Sequence, residues 1–239
     1  MKCLRVRYTK RGKIRFIGHR DVARIWERTL RKANIPVLYS QGFSPHPRIS
    51  FGLALPTGFE SEAEYVDIYL GEEFFTEGFD PKLIQQDIDS ALPTGMDALA
   101  VGIVSTSEDS LQEAVDACVW EVRVSGVRVE EFKKIRNDLF SSESLNIERE
   151  RKGKLLVEDV RSQVHSMDIA EEHADGVTIL TELGTKPRVL RPTDLLKRIN
   201  SELRTVRVLR KEQLTLQANQ RIEPLSIELS PAAPTEVLA

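Results

Sequence analysis

An α+β fold built from two tandem β-α-β-β-α-β units is what this 239-residue sequence predicts, and three observations carry the prediction. Between residues 2 and 105 the apolar residues alternate between a period of two and a period near 3.6 in that order. The same order returns, less tidily and with one added hairpin, between residues 117 and 216. The composition, 41% hydrophobic and 30% charged, suits one large buried core or two smaller ones.

The elements follow in order. KCLRVRYT sets Leu4, Val6 and Tyr8 against Arg5 and Arg7, a half-buried strand with a basic outer face. KRGK turns the chain and IRFI continues it in extended form. HRDVARIWERTLRKAN then carries Val22, Ile25, Trp26, Thr29, Leu30 and Ala33 at helical spacing, ended by Asn34, Ile35 and Pro36. PVLYS, ISFGLAL and AEYVDIYL read as strands. DPKLIQQDIDSAL reads as a helix capped by Asp80 with Pro81 at its first position, and MDALAVGIVS as the closing strand.

The second half offers ACVWEVRVSG as a strand and VEEFKKIRNDLF as a helix. SLNIERERKGKLLVEDV reads as a hairpin turning at Lys152, Gly153 and Lys154. Strands near SMDIAEEH and GVTILTELG meet at a turn of Asp175 and Gly176. PTDLLKRINSEL is a helix and TVRVLRKEQLTL the last strand. Both halves thus predict the split-βαβ, ferredoxin-like pattern. The expected domains are residues 1–108 and 109–229, followed by a flexible tail at 230–239.

Charge is unevenly spread. The first 50 residues hold 13 Lys+Arg and 2 Asp+Glu, a balance of +11, so the rest holds 21 basic and 35 acidic residues, a balance of -14. Such a dipolar chain is expected to attract a polyanion at one end, and RNA is the expected partner. No apolar run approaches the roughly 20 residues of a membrane helix and the first residues form a charged strand, so the expected location is the cytoplasm, with no membrane partner. Cys3 and Cys118 lack any C-x-x-C spacing, so neither a metal site nor a cofactor is expected on this chain.

Four features are candidates for chemistry or binding. Arg20, Arg24, Arg28, Arg31 and Lys32 form a ridge opposite the helix's apolar stripe, extended by Arg5, Arg7, Lys10, Arg11, Lys13 and Arg15. It reads either as an anion-binding surface or as a solvated face. In FIGHRD, His19 stands beside the exposed N–H groups of a helix start, where anions are favoured, or it packs locally. In YSQGFSPHPRISFG, two prolines stiffen the loop around His46. There His46 can carry protons beside a phosphate held by Arg48, Tyr39 and Phe43 can stack on unpaired bases, or the segment is a structural wedge over a packed Phe43. In KPRVLRPTDLL, Lys186, Arg188 and Arg191 precede a helix start, which is either an anion seat or an ordinary connection. No P-loop, dinucleotide fingerprint, H-E-x-x-H or G-x-S-x-G occurs.

F-I-G-H-R-D, Y-S-Q-G-F-S-P-H-P, F-G-L-A-L-P-T-G and L-R-P-T-D-L-L together resemble the radical-SAM-linked proteins, a bacterial family of unknown function, over most of residues 4 to 212. That resemblance implies a radical S-adenosylmethionine enzyme as partner, since members occur as separate chains or joined to one, and the C-x-x-x-C-x-x-C cluster motif is missing here. A weaker likeness, in element order and basic face, is to the CRISPR RNA-processing proteins. The glycine-rich loop typical of those proteins is not found between residues 200 and 230.

The resulting expectation is an RNA-binding accessory protein, not an enzyme on its own, that presents RNA to a radical S-adenosylmethionine partner. Its expected groove is lined by the helix ridge, His19, Tyr39, Phe43, His46 and Arg48, with Arg188 and Arg191 reaching in. The alternatives are metal-independent RNA cleavage with His46 as proton carrier and a protein module docking through its basic half.

Overall fold

The structure, a computed structural model, describes residues 2–75, 79–105, 110–151, 153–217 and 220–225. The tail predicted at 230–239 and Lys152 of the predicted hairpin turn lie outside them. In the first half, β1 (Lys2–Lys10) buries Leu4, Val6 and Tyr8. IRFI is not extended: residues Gly12–Phe16 form a 3-10 turn, entered by Gly12 at φ 62, which lets Ile14 and Ile17 pack on the core while Phe16 stays outside. Helix α1 (His19–Lys32) buries Val22, Trp26, Thr29 and Leu30, the spacing of one helical stripe. Trp26 meets Tyr8 edge-on at 4.9 Å. Asn34, at φ 53, ends the helix in the left-handed conformation that asparagine tolerates.

PVLYS does not become a strand. Prolines 36 and 47 each lack an N–H for a ladder, and the segment closes on itself instead, with Ser40 N–H donating to His46 O at 2.9 Å and Arg48 N–H to Leu38 O at 2.7 Å. Strands β2 (Ile49–Phe51) and β3 (Glu60–Tyr69), helix α2 (Pro81–Ala91) and strand β4 (Ala98–Ser105) complete this half. Asp80 caps α2 by accepting from Lys82 N–H at 2.8 Å. β1 runs antiparallel between β4 and β3, and β2 lies antiparallel on the far side of β3.

The second half opens with the short α3 (Leu111–Ala114), then β5 (Ala117–Ser125), α4 (Val129–Ser141), β6 (Asn146–Arg151) and β7 (Lys154–Asp159). β6 and β7 pair only with each other among the described residues, in the register Ile147↔Glu158. β8 (Val164–His173), β9 (Gly176–Gly184), α5 (Pro192–Ile199), β10 (Arg204–Gln217) and β11 (Gln220–Ile222) follow. β5 lies antiparallel between β10 and β9, β8 is outermost, and β11 folds back on β10.

The two halves share one mixed sheet of order β4-β1-β3-β10-β5-β9-β8, because β3 and β10 pair in parallel at Leu209↔Glu60 and Arg210↔Ser61. Leu4, Val6, Val66 and Ile68 pack under α1 and α2, and Trp120, Val122, Val177 and Ile179 under α4 and α5. Arg210 lies on the same face as Trp120, opposite it in the β5–β10 register, and bonds Glu64, which pairs with Tyr8 in the first core. All four long helices therefore cover the same side of the sheet. ISFGLAL, expected as one strand, stops at Phe51; residues 52–59 cross the seam, so that Leu53 and Leu55 pack in the second core and Phe59 meets Trp120 at 6.0 Å.

Both cysteines are buried, and neither is in a disulfide. Burial pushes the Cys118 thiol from its ordinary 9.0 up to about 11. The unfolded chain ionises first, so this contribution to stability is full below pH 9 and is lost as pH rises through 11. The folded protein should show no thiol reaction with a disulfide reagent at pH 8, and both thiols should react in denaturant. Fast labelling of the native protein would contradict the packing.

Candidate nucleic-acid interface

The outer face of α1 carries Arg20, Arg24, Arg28, Arg31 and Lys32, all exposed. Arg24 makes a loose pair with Asp21 at 3.4 Å, an exposed contact of little energetic weight. Lys32 donates to Ser90 O at 3.3 Å. Among the described residues Arg20, Arg28 and Arg31 have no ion pair, so their guanidinium groups are free to meet an anion. At the other end, Gly18 is the N-cap and no side chain caps the helix. His19 is exposed there with its ring edge-on to Phe51 at 5.1 Å, so it packs locally and also stands beside the uncapped N–H groups.

The strand arginines are a correction. Arg5 is 5% exposed and grips both Asp67 carboxylate oxygens, at 2.7 and 2.9 Å, as well as Pro224 O at 2.8 Å. Arg7 bonds Glu223 and donates to Glu62 O at 3.0 Å. Arg11 pairs with Glu62, and Arg15 stacks on Phe16 at 4.5 Å while reaching Glu60 at 3.5 Å. The cause is the register of β1 against β3, which sets Arg5 opposite Asp67 on the sheet face that carries no long helix among the described residues. These cations are neutralised by the acidic residues that follow them in the chain, on the face turned away from α1.

The loop after α1 presents its side chains to solvent. Phe43 is fully exposed, not packed beneath the prolines, and Tyr39 is half exposed. His46 is exposed; its N–H donates to Ser40 Oγ at 3.0 Å. Arg48 lies over the Tyr69 ring at 4.9 Å, and burial raises the Tyr69 pKa. A groove of about 270 Å³ between the loop and the end of α1 is lined by Arg31, Asn34, Pro36, Tyr39 and Pro47, with Glu27 at its side. It brings the last arginine of the ridge and the first aromatic of the loop to one surface, a combination suited to a phosphate beside a stacked base.

Arg188 and Arg191 stand elsewhere. Both precede α5 in the second half, where Arg188 is held by Glu158 at 2.8 Å and neighbouring Lys186 by Asp116 at 2.6 Å; Arg191 is exposed at the N-cap. This cluster reads mostly as a connection tied down by carboxylates.

Sequence reading missed a small cavity at the seam, about 30 Å³, lined by Tyr8, Lys10, His19, Glu64 and Leu53. Lys10, expected in the basic ridge, is instead buried and donates to Ile17 O at 2.9 Å; desolvation lowers its pKa, against an opposing pull from Glu64. The signal was present, since Lys10 continues the Leu4, Val6, Tyr8 alternation onto the core face. The volume is that of a single water site. Among the described residues no group of three or more His, Cys, Asp or Glu could hold a metal ion, and no helix is long and apolar enough to cross a membrane.

Residues 3–192 match a family model described as an uncharacterized protein conserved in bacteria. No curated protein matches the chain.

Proposed function

This chain belongs to the DUF2344 family of uncharacterized bacterial proteins, and on that premise we propose that it is an RNA-binding accessory protein that presents RNA to a radical S-adenosylmethionine enzyme in the cytoplasm. The observation that carries the reading is the exposed row of Arg20, Arg24, Arg28 and Arg31, three of them without a carboxylate partner among the described residues. Phosphates follow this row, and unpaired bases stack on Tyr39 and Phe43 at its end. The partner enzyme rests on the family resemblance of the quoted motifs. Each half is a ferredoxin-like unit, residues 1–108 and 109–229, a reading supported by the strand orders β4-β1-β3-β2 and β10-β5-β9-β8 with antiparallel neighbours throughout. Such folds serve many functions, so the assignment rests on the ridge and not on the architecture.

Titrating labelled single-stranded RNA at rising salt tests it. Four phosphate contacts predict a slope of log affinity on log salt near -3, at roughly -0.7 per contact on a single strand. A slope near zero, or no retention at low salt, would remove the reading. RNA cleavage in the presence of chelator, abolished by His46→Ala, would replace it with the nuclease alternative.

A further inference from the structure

The hairpin β6–β7 leaves a strand edge uncovered. Leu155, Leu156 and Val157, three consecutive apolar residues of β7, are 64%, 36% and 59% exposed. On the outer side of β6 one backbone group is taken, Asn146 O accepting from Arg198 of α5. β7 has no such neighbour among the described residues. Natural proteins shield free edges with charges, prolines or cover; here Lys154 and Glu158 flank the triplet and Glu150, Arg149 and Glu148 pair with it on β6, but no further strand covers its outer side among the described residues.

The ladder fixes which backbone groups point outward. Arg151 and Lys154 are the last pair of the ladder, and where two residues separate the strands of a hairpin the flanking pair exchanges both hydrogen bonds. Residues 154, 156 and 158 therefore spend their backbone groups on β6. Those of Leu155 and Val157 point away from it.

We propose that β7 pairs antiparallel with β7 of a second copy about a two-fold axis at Leu156. The sequence around that axis is self-complementary. Residue 155 falls opposite residue 157 of the other copy, leucine against valine, using the outward hydrogen-bonding groups of both. Residue 154, a lysine, falls opposite residue 158, a glutamate whose carboxylate also holds Arg188 at 2.8 Å. Leu156 faces itself as a non-hydrogen-bonded pair. Any other register of two copies sets charged residues against the apolar triplet or leaves Leu155 and Val157 without partners. The closed two-fold contact joins the hairpins into a four-stranded sheet of order β6-β7-β7-β6.

Crosslinking by single cysteines reads this register. A non-hydrogen-bonded antiparallel pair has Cα atoms about 4.5 Å apart, inside the range a disulfide spans, whereas residues 155 and 157 do not meet their own copies. Cys3 and Cys118 are buried and give no background. Under mild oxidation Leu156→Cys should become a covalent dimer as the main species, with Leu155→Cys and Val157→Cys crosslinking several-fold less. Sedimentation over a concentration series should show the unmodified chain dimerising and the doubly substituted Leu155→Lys, Val157→Lys chain staying monomeric. Equal crosslinking at all three positions, none at any, or a monomer at every concentration would overturn the proposal. So would a dimer unaffected by the two lysines. A monomer that begins to dimerise only after residues 226–239 are removed would show that the chain's own end covers this edge, and would overturn it too.

Discussion

Replacing Arg210 with alanine is expected to destabilise the folded chain by about 3–5 kcal/mol, the cost of leaving a buried charge without its partner. The guanidinium is 0% exposed. It bonds Glu64 at 2.9 Å, donates to Leu53 O at 3.0 Å and Ala54 O at 3.3 Å, and lies over the Trp120 ring at 4.9 Å. Alanine strands a buried carboxylate and two carbonyls and opens a void between the two cores. The urea midpoint should fall with little change in slope. Pairing Arg210→Met with Glu64→Gln should recover much of the loss, because the uncompensated charge is then gone. A single-alanine loss under about 1 kcal/mol would mean that the seam is not held by this residue. Since β3 and β10 lie side by side there, the variant also tests whether the halves unfold together.

The elements that announce themselves by period were legible. The α1 stripe at Val22, Trp26 and Leu30 and the Asp80 cap of α2 could be read from spacing and residue type, because each depends on neighbours within a turn. What depends on distant partners could not be read so directly. Arg5 looks like a solvent-facing residue of a half-buried strand until Asp67 arrives opposite it from a strand sixty residues on. Arg210 sits in a run of basic and apolar residues without a strict alternation, and its ladder to β5 is irregular on both sides, between Thr205 and Arg207 and between Arg210 and Glu212. PVLYS has the composition of a strand, yet its flanking prolines leave it two isolated bridges. Sequence placed positive charge in the first fifty residues correctly, but only the register separated the neutralised arginines of β1 from the free ones of α1.

That separation gives the largest expected effect on binding. Reversing two ridge charges, Arg24→Glu with Arg28→Glu, removes two charge-assisted contacts of roughly 1.5–3 kcal/mol each and adds repulsion. Affinity for single-stranded RNA should therefore fall at least about 100-fold at moderate salt, since 1.4 kcal/mol is tenfold. The salt slope should flatten by more than one unit. Both side chains are exposed on a helix whose buried face is untouched, so the unfolding midpoint should barely move. Arg7→Gln is the informative comparison: that guanidinium already serves Glu223 and the Glu62 carbonyl on the other face of the sheet, so the RNA slope should not change. If Arg7→Gln weakened RNA as much as the ridge reversal, the polyanion would run over the helix-free face and not along α1. A ridge reversal that left affinity within threefold would instead return Arg20, Arg24, Arg28 and Arg31 to the role of a solvated helix surface.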